Sequence, residues 1–103
     1  CLDVYPLEAW EKLKNSFAQK MMPKQKMRDV SRFIFGGACE VEPDKQGRIL
    51  LPANLRTYAR IGETALIVGV GGKAEIWDAQ RYADYTKAVE GDVAELIEEL
   101  DFE

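Results

Sequence analysis

This 103-residue chain contains no histidine. That absence excludes a histidine-based catalytic triad and leaves little from which to build a zinc site. Cysteine is scarce as well. Cys1 and Cys39 lie far apart and outside any C-x-x-C pattern, as expected of two free thiols in a reducing cytoplasm. No apolar run approaches the ~20 residues that a membrane helix needs, and no basic segment followed by an apolar one marks a secretory signal. The glycines of Val68–Gly72 (VGVGG) complete neither G-x-x-x-x-G-K-[ST] nor G-x-G-x-x-G. Gly71-Gly72 instead predicts a two-residue hairpin turn in which both residues take positive φ. No enzyme pattern, cofactor, metal, small-molecule substrate or membrane partner is expected.

Basic residues are missing from one end. From Glu90 to Glu103 there are seven acids and no Lys or Arg. Removing those seven from the 18 acids leaves 11 against 14 bases, so residues 1–89 carry about +3 although the whole chain carries −4. Local field, not whole-chain charge, decides attraction to phosphate. Seven bases (Lys12, Lys14, Lys20, Lys24, Lys26, Arg28 and Arg32) face one acid, Asp29, between Lys12 and Arg32. A solvated helix face accounts for most of them, with phosphate attraction as the alternative. Arg32, between Val30 and Phe33, is placed to pair with an acid on a neighbouring element.

The most informative segment is residues 44–56, DKQGRILLPANLR. Asp44 opens a tight turn, Lys45 follows, and Gly47 permits positive φ. Arg48–Leu51 predicts a strand. Pro52 ends it and pre-sets φ for a short helix. Lys45, Arg48 and Arg56 are thereby candidates to share one basic surface. A guanidinium beside a turn can grip a phosphate or pair with guanine O6 and N7, and a lysine acts as a point charge. The competing structural reading is an Arg48–Asp44 ion pair that holds the turn. The two are compatible, because Asp44 can orient Arg48.

The spacing D-x-x-G-R-x-x-x-P-x-x-L-R resembles the AbrB-type swapped-hairpin barrel of bacterial DNA-binding regulators. With YPLEAWEKL near the start, RFIFGGACEVEPDKQGRILLPANLRTYA in the middle and LIVGVGGKAEIWDAQRY later, the chain is similar to the MraZ family of transcriptional regulators over about residues 1–85. The resemblance implies an α+β fold, a swapped-hairpin β-barrel with peripheral helices. It implies a repressor-like regulator of the division and cell-wall gene cluster, cytoplasmic and nucleoid-associated. Such a regulator recognises promoter repeats in double-stranded DNA as a ring-like homo-oligomer. By the same resemblance Arg48 contacts DNA, with Lys45 beside it. Arg56 stands on a helix that borders the DNA face, or is simply an exposed helix residue. Asp44, Gly47 and Pro52 form the turn. Val41, Glu42 and Pro43 stand where many AbrB-type barrels carry bases, and Thr57 where some carry a second arginine, so one half-barrel is expected to bind weakly. The alternative functions are an AbrB-like antitoxin, whose acidic tail waits disordered for a basic partner, and a protein-binding or oligomerisation module.

A faint internal repeat organises the chain. Leu2–Trp10 aligns with Ala74–Tyr82, Leu2 against Ala74 and Trp10 against Tyr82. The expected organisation is 1–6, the end of a truncated first half-barrel repeat; 7–37, connecting helices; 38–89, a second half-barrel repeat with its following helix; and 90–103, an acidic C-terminal helix. Expected helices cover Leu7–Gln19, with Leu7, Trp10, Leu13 and Phe17 on one face; Lys24–Phe35, stopped by Gly36-Gly37; and Pro52–Ala59. A loop is expected around Met22-Pro23. Strands are expected at 38–43, Arg48–Leu51, Ala65–Val70 and Lys73–Trp77. Asp78 is read as the N-cap of a helix ending near Val89. Gly91-Asp92 then restarts a last helix with Val93, Leu96, Ile97 and Leu100 on one face. The aromatics read as core or subunit contacts.

Overall fold

Alternation within AEIWD (74–78) puts Ile76 on one sheet face and Trp77 on the other, and the fold assembles around that strand. The computed structural model describes residues 1–20 and 24–100. Its elements are β1 (Leu2–Val4), α1 (Leu7–Ala18), α2 (Lys24–Gly37), α3 (Ala53–Tyr58), β2 (Ala65–Gly69), β3 (Ala74–Asp78) and α4 (Ala79–Leu100). The strands form one antiparallel sheet in the order β1-β3-β2. The architecture is therefore mixed α+β. Ala59, Ile61 and Ile76 are buried, and Leu2, Val4, Ile49 and Leu51 pack against them. On the other face Trp77 meets Tyr82 and Tyr85 of α4, with ring centroids 5.3 and 5.1 Å away.

The pairing of β1 with β3 follows the internal repeat. Leu2 lies opposite Ile76, Asp3 opposite Glu75 and Val4 opposite Ala74. Since Leu2, Asp3 and Val4 align with Ala74, Glu75 and Ile76, the matched strands cross about a local two-fold through Asp3 and Glu75. In each copy an aromatic at the end of the strand segment meets the aromatic five residues later, Tyr5 with Trp10 at 5.9 Å and Trp77 with Tyr82 at 5.3 Å. Carboxylates directly opposite one another repel. Lys73 Nζ, 3.1 Å from Asp3 Oδ2 and 5.6 Å from the Tyr5 ring centroid, offsets this. Trp77 Nε1 donates to Glu75 Oε1 at 3.0 Å. The hydrogen bond and charge of Asp3 hold the Lys73 ammonium above its ordinary pKa.

The helices join through aromatics: Trp10 and Phe17 of α1 both set their edges against Phe35 of α2, at 5.4 and 5.6 Å. The β2–β3 hairpin turns at Gly71-Gly72, with Val70 N donating to Lys73 O at 3.0 Å. Only Gly71 takes positive φ, at 110°, rather than both glycines. The α3 helix ends in a Schellman motif: Arg60 N donates to Thr57 O and Ile61 N to Arg56 O. Its left-handed residue is Arg60, at φ 56°, where glycine is usual.

Three expectations need correction. Residues 38–43 and 48–51 form no ladder strand, because an extended segment becomes a strand only when a neighbour accepts its backbone hydrogen bonds. α2 runs through Gly36 to Gly37 instead of stopping before them. α4 is one helix of 22 residues through Gly91, so the expected break between Val89 and Gly91 is absent and the boundary at residue 90 falls inside a helix. A lone glycine costs a helix only about 1 kcal/mol against alanine, and good helix formers flank this one. The loop expected at Met22-Pro23 lies outside the described residues. None of the described helices is long and apolar enough to cross a membrane.

Candidate nucleic-acid interface

The turn at 44–48 is built by a single carboxylate. Asp44 Oδ1 accepts from the backbone N–H groups of Gln46 and Arg48, each at 2.9 Å. Asp44 Oδ2 accepts from Arg48 Nε at 3.0 Å. The backbone closes around the same residue: Gly47 N donates to Asp44 O at 3.0 Å, and Asp44 N to Arg48 O at 2.8 Å. Gly47 sits at φ 80°, where a Cβ would be strained. The result is a type I turn followed by a left-handed glycine, a regular hairpin end. The Arg48 backbone N–H is the largest influence on Asp44. Together with the Gln46 N–H and the guanidinium, it holds the Asp44 carboxyl below its ordinary value against a desolvation effect of opposite sign.

This arrangement settles how Arg48 is held. Its ion pair with Asp44 exists, and the Arg48 side chain remains 73% exposed. Among the described residues only Nε is engaged, so the two terminal nitrogens of the fork stay free to donate outward. Lys45 lies in the same turn and is exposed. Asp44, Lys45, Gly47 and Arg48 thus share one loop. Pro52 precedes α3, its carbonyl accepting from Arg56 N at 3.0 Å. Arg56 is exposed on the last turn of that helix, and its side chain makes no hydrogen bond or ion pair with the 44–48 turn among the described residues. Arg32 makes no ion pair among the described residues.

On either side of the turn the chain forms neither helix nor ladder strand. Every residue from Gly37 to Arg48 is exposed, and Leu50 is 86% exposed. Beside these arms Ile49 and Leu51 reach the core. A second carboxylate, Asp78, fixes the opposite junction. Its Oδ1 accepts from Gly62 N at 2.8 Å and its Oδ2 from Arg81 N at 3.2 Å. The Gly62 bond is the leading cause of its depressed pKa. The helix-capping role was readable in the sequence. The tie to Gly62, 16 residues earlier, was not, because no local pattern signals it.

Cys1, Asp3 and Glu75 bring one thiol and two carboxylates within 4.8 Å of one another. Lys73 engages Asp3 and the Trp77 indole engages Glu75, so these acids are accounted for by their own partners.

Residues 34–100 match the family described as "MraZ protein, putative antitoxin-like". A transcriptional regulator MraZ of Desulfitobacterium hafniense (strain Y51) is 45% identical over 100 residues, covering 97% of this chain and 70% of that protein. Proteins of the same name from Natranaerobius thermophilus and Thermobifida fusca are each 39% identical with the same coverage.

Proposed function

This chain belongs to the MraZ family, and on that premise we propose that it binds duplex DNA through the Asp44–Arg48 turn as a transcriptional regulator. It is a regulator, not an enzyme, and its targets are promoter repeats of the division and cell-wall gene cluster. Arg48 reads or grips DNA with the free end of its guanidinium, Lys45 adds a phosphate contact, and Arg56 borders the face. The observation that carries this reading is the Arg48 fork, fixed at Nε by Asp44 and open to solvent at its other nitrogens. A pre-oriented fork loses little freedom on meeting a base or phosphate.

The same reading covers the finer fold and the assembly. The open arms on either side of the turn complete a swapped-hairpin barrel by interleaving with an equivalent arm, and exposed Val41 and Leu50 are the residues to be covered. Residues 1–6 close a first half-barrel repeat, 7–37 connect, 38–89 form the second repeat with the first part of α4, and the acidic segment follows from residue 90. The two-fold crossing of β1 and β3 supports this division. Copies assemble into a ring-like homo-oligomer, so weak individual contacts add across spaced repeats. The antitoxin alternative gains no support from a disordered tail, since α4 is helical to Leu100.

The test compares Arg48→Lys with Arg48→Ala by fluorescence anisotropy on a promoter duplex and a scrambled duplex. Lysine keeps the charge and loses the fork. It is expected to retain general affinity while losing discrimination worth about 1–3 kcal/mol. Alanine is expected to lose both and to lower the salt slope by about one. Equal discrimination in all three proteins would remove Arg48 from sequence reading.

A further inference from the structure

α2 is a cationic helix. It carries Lys24, Lys26, Arg28 and Arg32 against a single acid, Asp29. All five are exposed, and none of the four bases is held in an ion pair among the described residues. Asp29 Oδ1 accepts from Gln25 Nε2 at 3.0 Å, a neutral partner, so its charge offsets one base and no more. Charges act over about 8 Å at physiological salt, and a helix is only about 10–12 Å across. A polyanion lying along one side of α2 therefore feels most of that surplus.

Two aromatics fix how the helix is turned. Phe35 meets Trp10 and Phe17 of α1. Phe33, about 200° round the helix from it, meets the Tyr58 ring of α3 edge-on at 6.1 Å. The side of α2 away from α1 thus abuts α3. Lys26 lies on that side, two turns before Phe33, and Arg32 is about 100° round from Phe33. The α3 helix closes the segment that starts with the 44–48 turn, and from Lys45 to Gly62 that segment contains no acid. Phe33 and Tyr58 are 67 and 63% exposed, so their contact orients two helices without belonging to the buried core.

We propose that α2 is a second phosphate-binding element, whose Lys26 and Arg32 grip the backbone of the same duplex that the Asp44–Arg48 turn engages. Charge selects this occupant: exposed bases without a protein counter-ion fit a polyanion. The contacts position the protein on DNA and carry no sequence information. Each one releases counterions and so adds to the salt dependence of binding. Phe33 and Tyr58 are positioning residues, which seat α2 against α3 and touch no DNA. The proposal rests on the DNA-binding reading above and widens its footprint beyond the turn.

Salt dependence tests it in the full chain. Fluorescence anisotropy on a promoter duplex and a scrambled duplex, over a series of salt concentrations, reads affinity, discrimination and salt slope, with circular dichroism as the check on folding. Lys26→Gln with Arg32→Gln is expected to lower the slope by about two and to weaken both duplexes alike. Lys26→Arg with Arg32→Lys keeps both charges and should keep the slope. Lys12→Gln with Lys87→Gln makes the same change in net charge on α1 and α4 and should also keep it. Phe33→Ala is expected to lower the slope, and the two glutamines should then cost less than in the wild type. Phe33→Tyr retains the ring and should behave as wild type. A wild-type slope in the Lys26 and Arg32 glutamine variant overturns the proposal, whatever Arg48→Ala does to discrimination. An equal fall in the Lys12 and Lys87 variant also overturns it, by making the effect one of net charge. So does a loss confined to the promoter duplex, which would make α2 a reader of bases. Full additivity of Phe33→Ala with the two glutamines would remove the positioning role of the aromatic pair. A wild type that binds neither duplex overturns the DNA reading and this proposal together.

Discussion

Asp44 and Asp78 use the same chemistry in two unlike settings. Each carboxylate gathers backbone N–H donors and is held below its ordinary pKa by them. Around Asp78, the last residue of β3, the gathered groups belong to a loop and a helix, so the carboxylate ties both to the sheet that carries the buried core. Around Asp44 every gathered group lies within residues 44–48, and the flanking arms have no ladder. One junction is held by local and tertiary forces together, the other by local hydrogen bonds alone. A turn with this self-contained geometry can be carried on open arms and still present Arg48 in a defined direction. The comparison therefore predicts that fold and recognition can be damaged separately.

The largest expected effect is on the sheet side. Ile76 is the most buried of the described residues, at 3% exposure. Ile76→Ala should cost about 2–5 kcal/mol, read as a fall in the thermal midpoint. The amide exchange pattern of Gln46 and Arg48 should change little below that midpoint, because their acceptor is local. Loss of protection at both sites together would show that the turn depends on the core.

Acid should act on both junctions alike. A depressed carboxyl pKa contributes stability that is complete above the unfolded value, 3.8 for each group, and is lost as pH falls through the lower folded value. Between pH 7 and 5 neither junction should change. Below 3.8 the turn signals of Gln46 and Arg48 and the cap signal of Arg81 should weaken, as followed by amide chemical shifts. Asp44→Asn should remove the acid response at the turn and leave that at Arg81.

The smallest expected effect lies between the two regions, where α3 ends. Arg60 holds a left-handed conformation that costs an L-residue roughly 1–2 kcal/mol, and glycine gives part of that back through its freer unfolded chain. Arg60→Gly should therefore raise stability by less than about 1 kcal/mol and leave DNA affinity nearly unchanged, as measured by urea unfolding and anisotropy. A large fall in affinity would give the Arg60 side chain a role at the interface.

What was legible in the sequence follows the same division. The helices Leu7–Ala18 and Ala53–Tyr58, the Gly71-Gly72 hairpin and the Asp78 cap all announce themselves through short-range spacing. Asp44, Gly47 and Arg48 did so too, including the ion pair now seen between Asp44 and Arg48. Strand pairing is a long-range property, and for that reason the segments 38–43 and 48–51 carry the local signal of strands without forming a ladder. Arg60 hid its left-handed turn because no glycine marks it. The Lys73–Asp3 pair depends on the register of β1 on β3, which no local spacing specifies. Gly91 illustrates the reverse error, a local stop signal too weak to stop α4.

The central claim is that the 44–48 turn recognises DNA independently of the sheet that carries it. Its most direct test sets Arg48→Ala beside Asp78→Ala, with thermal midpoints and anisotropy on promoter and scrambled duplexes measured for both. The account predicts that Arg48→Ala loses promoter discrimination at an unchanged midpoint. Asp78→Ala should lose several degrees of midpoint while the remaining folded protein still discriminates. Unchanged promoter binding by Arg48→Ala, together with a lowered midpoint, would contradict the account and leave Arg48 as a structural partner of Asp44.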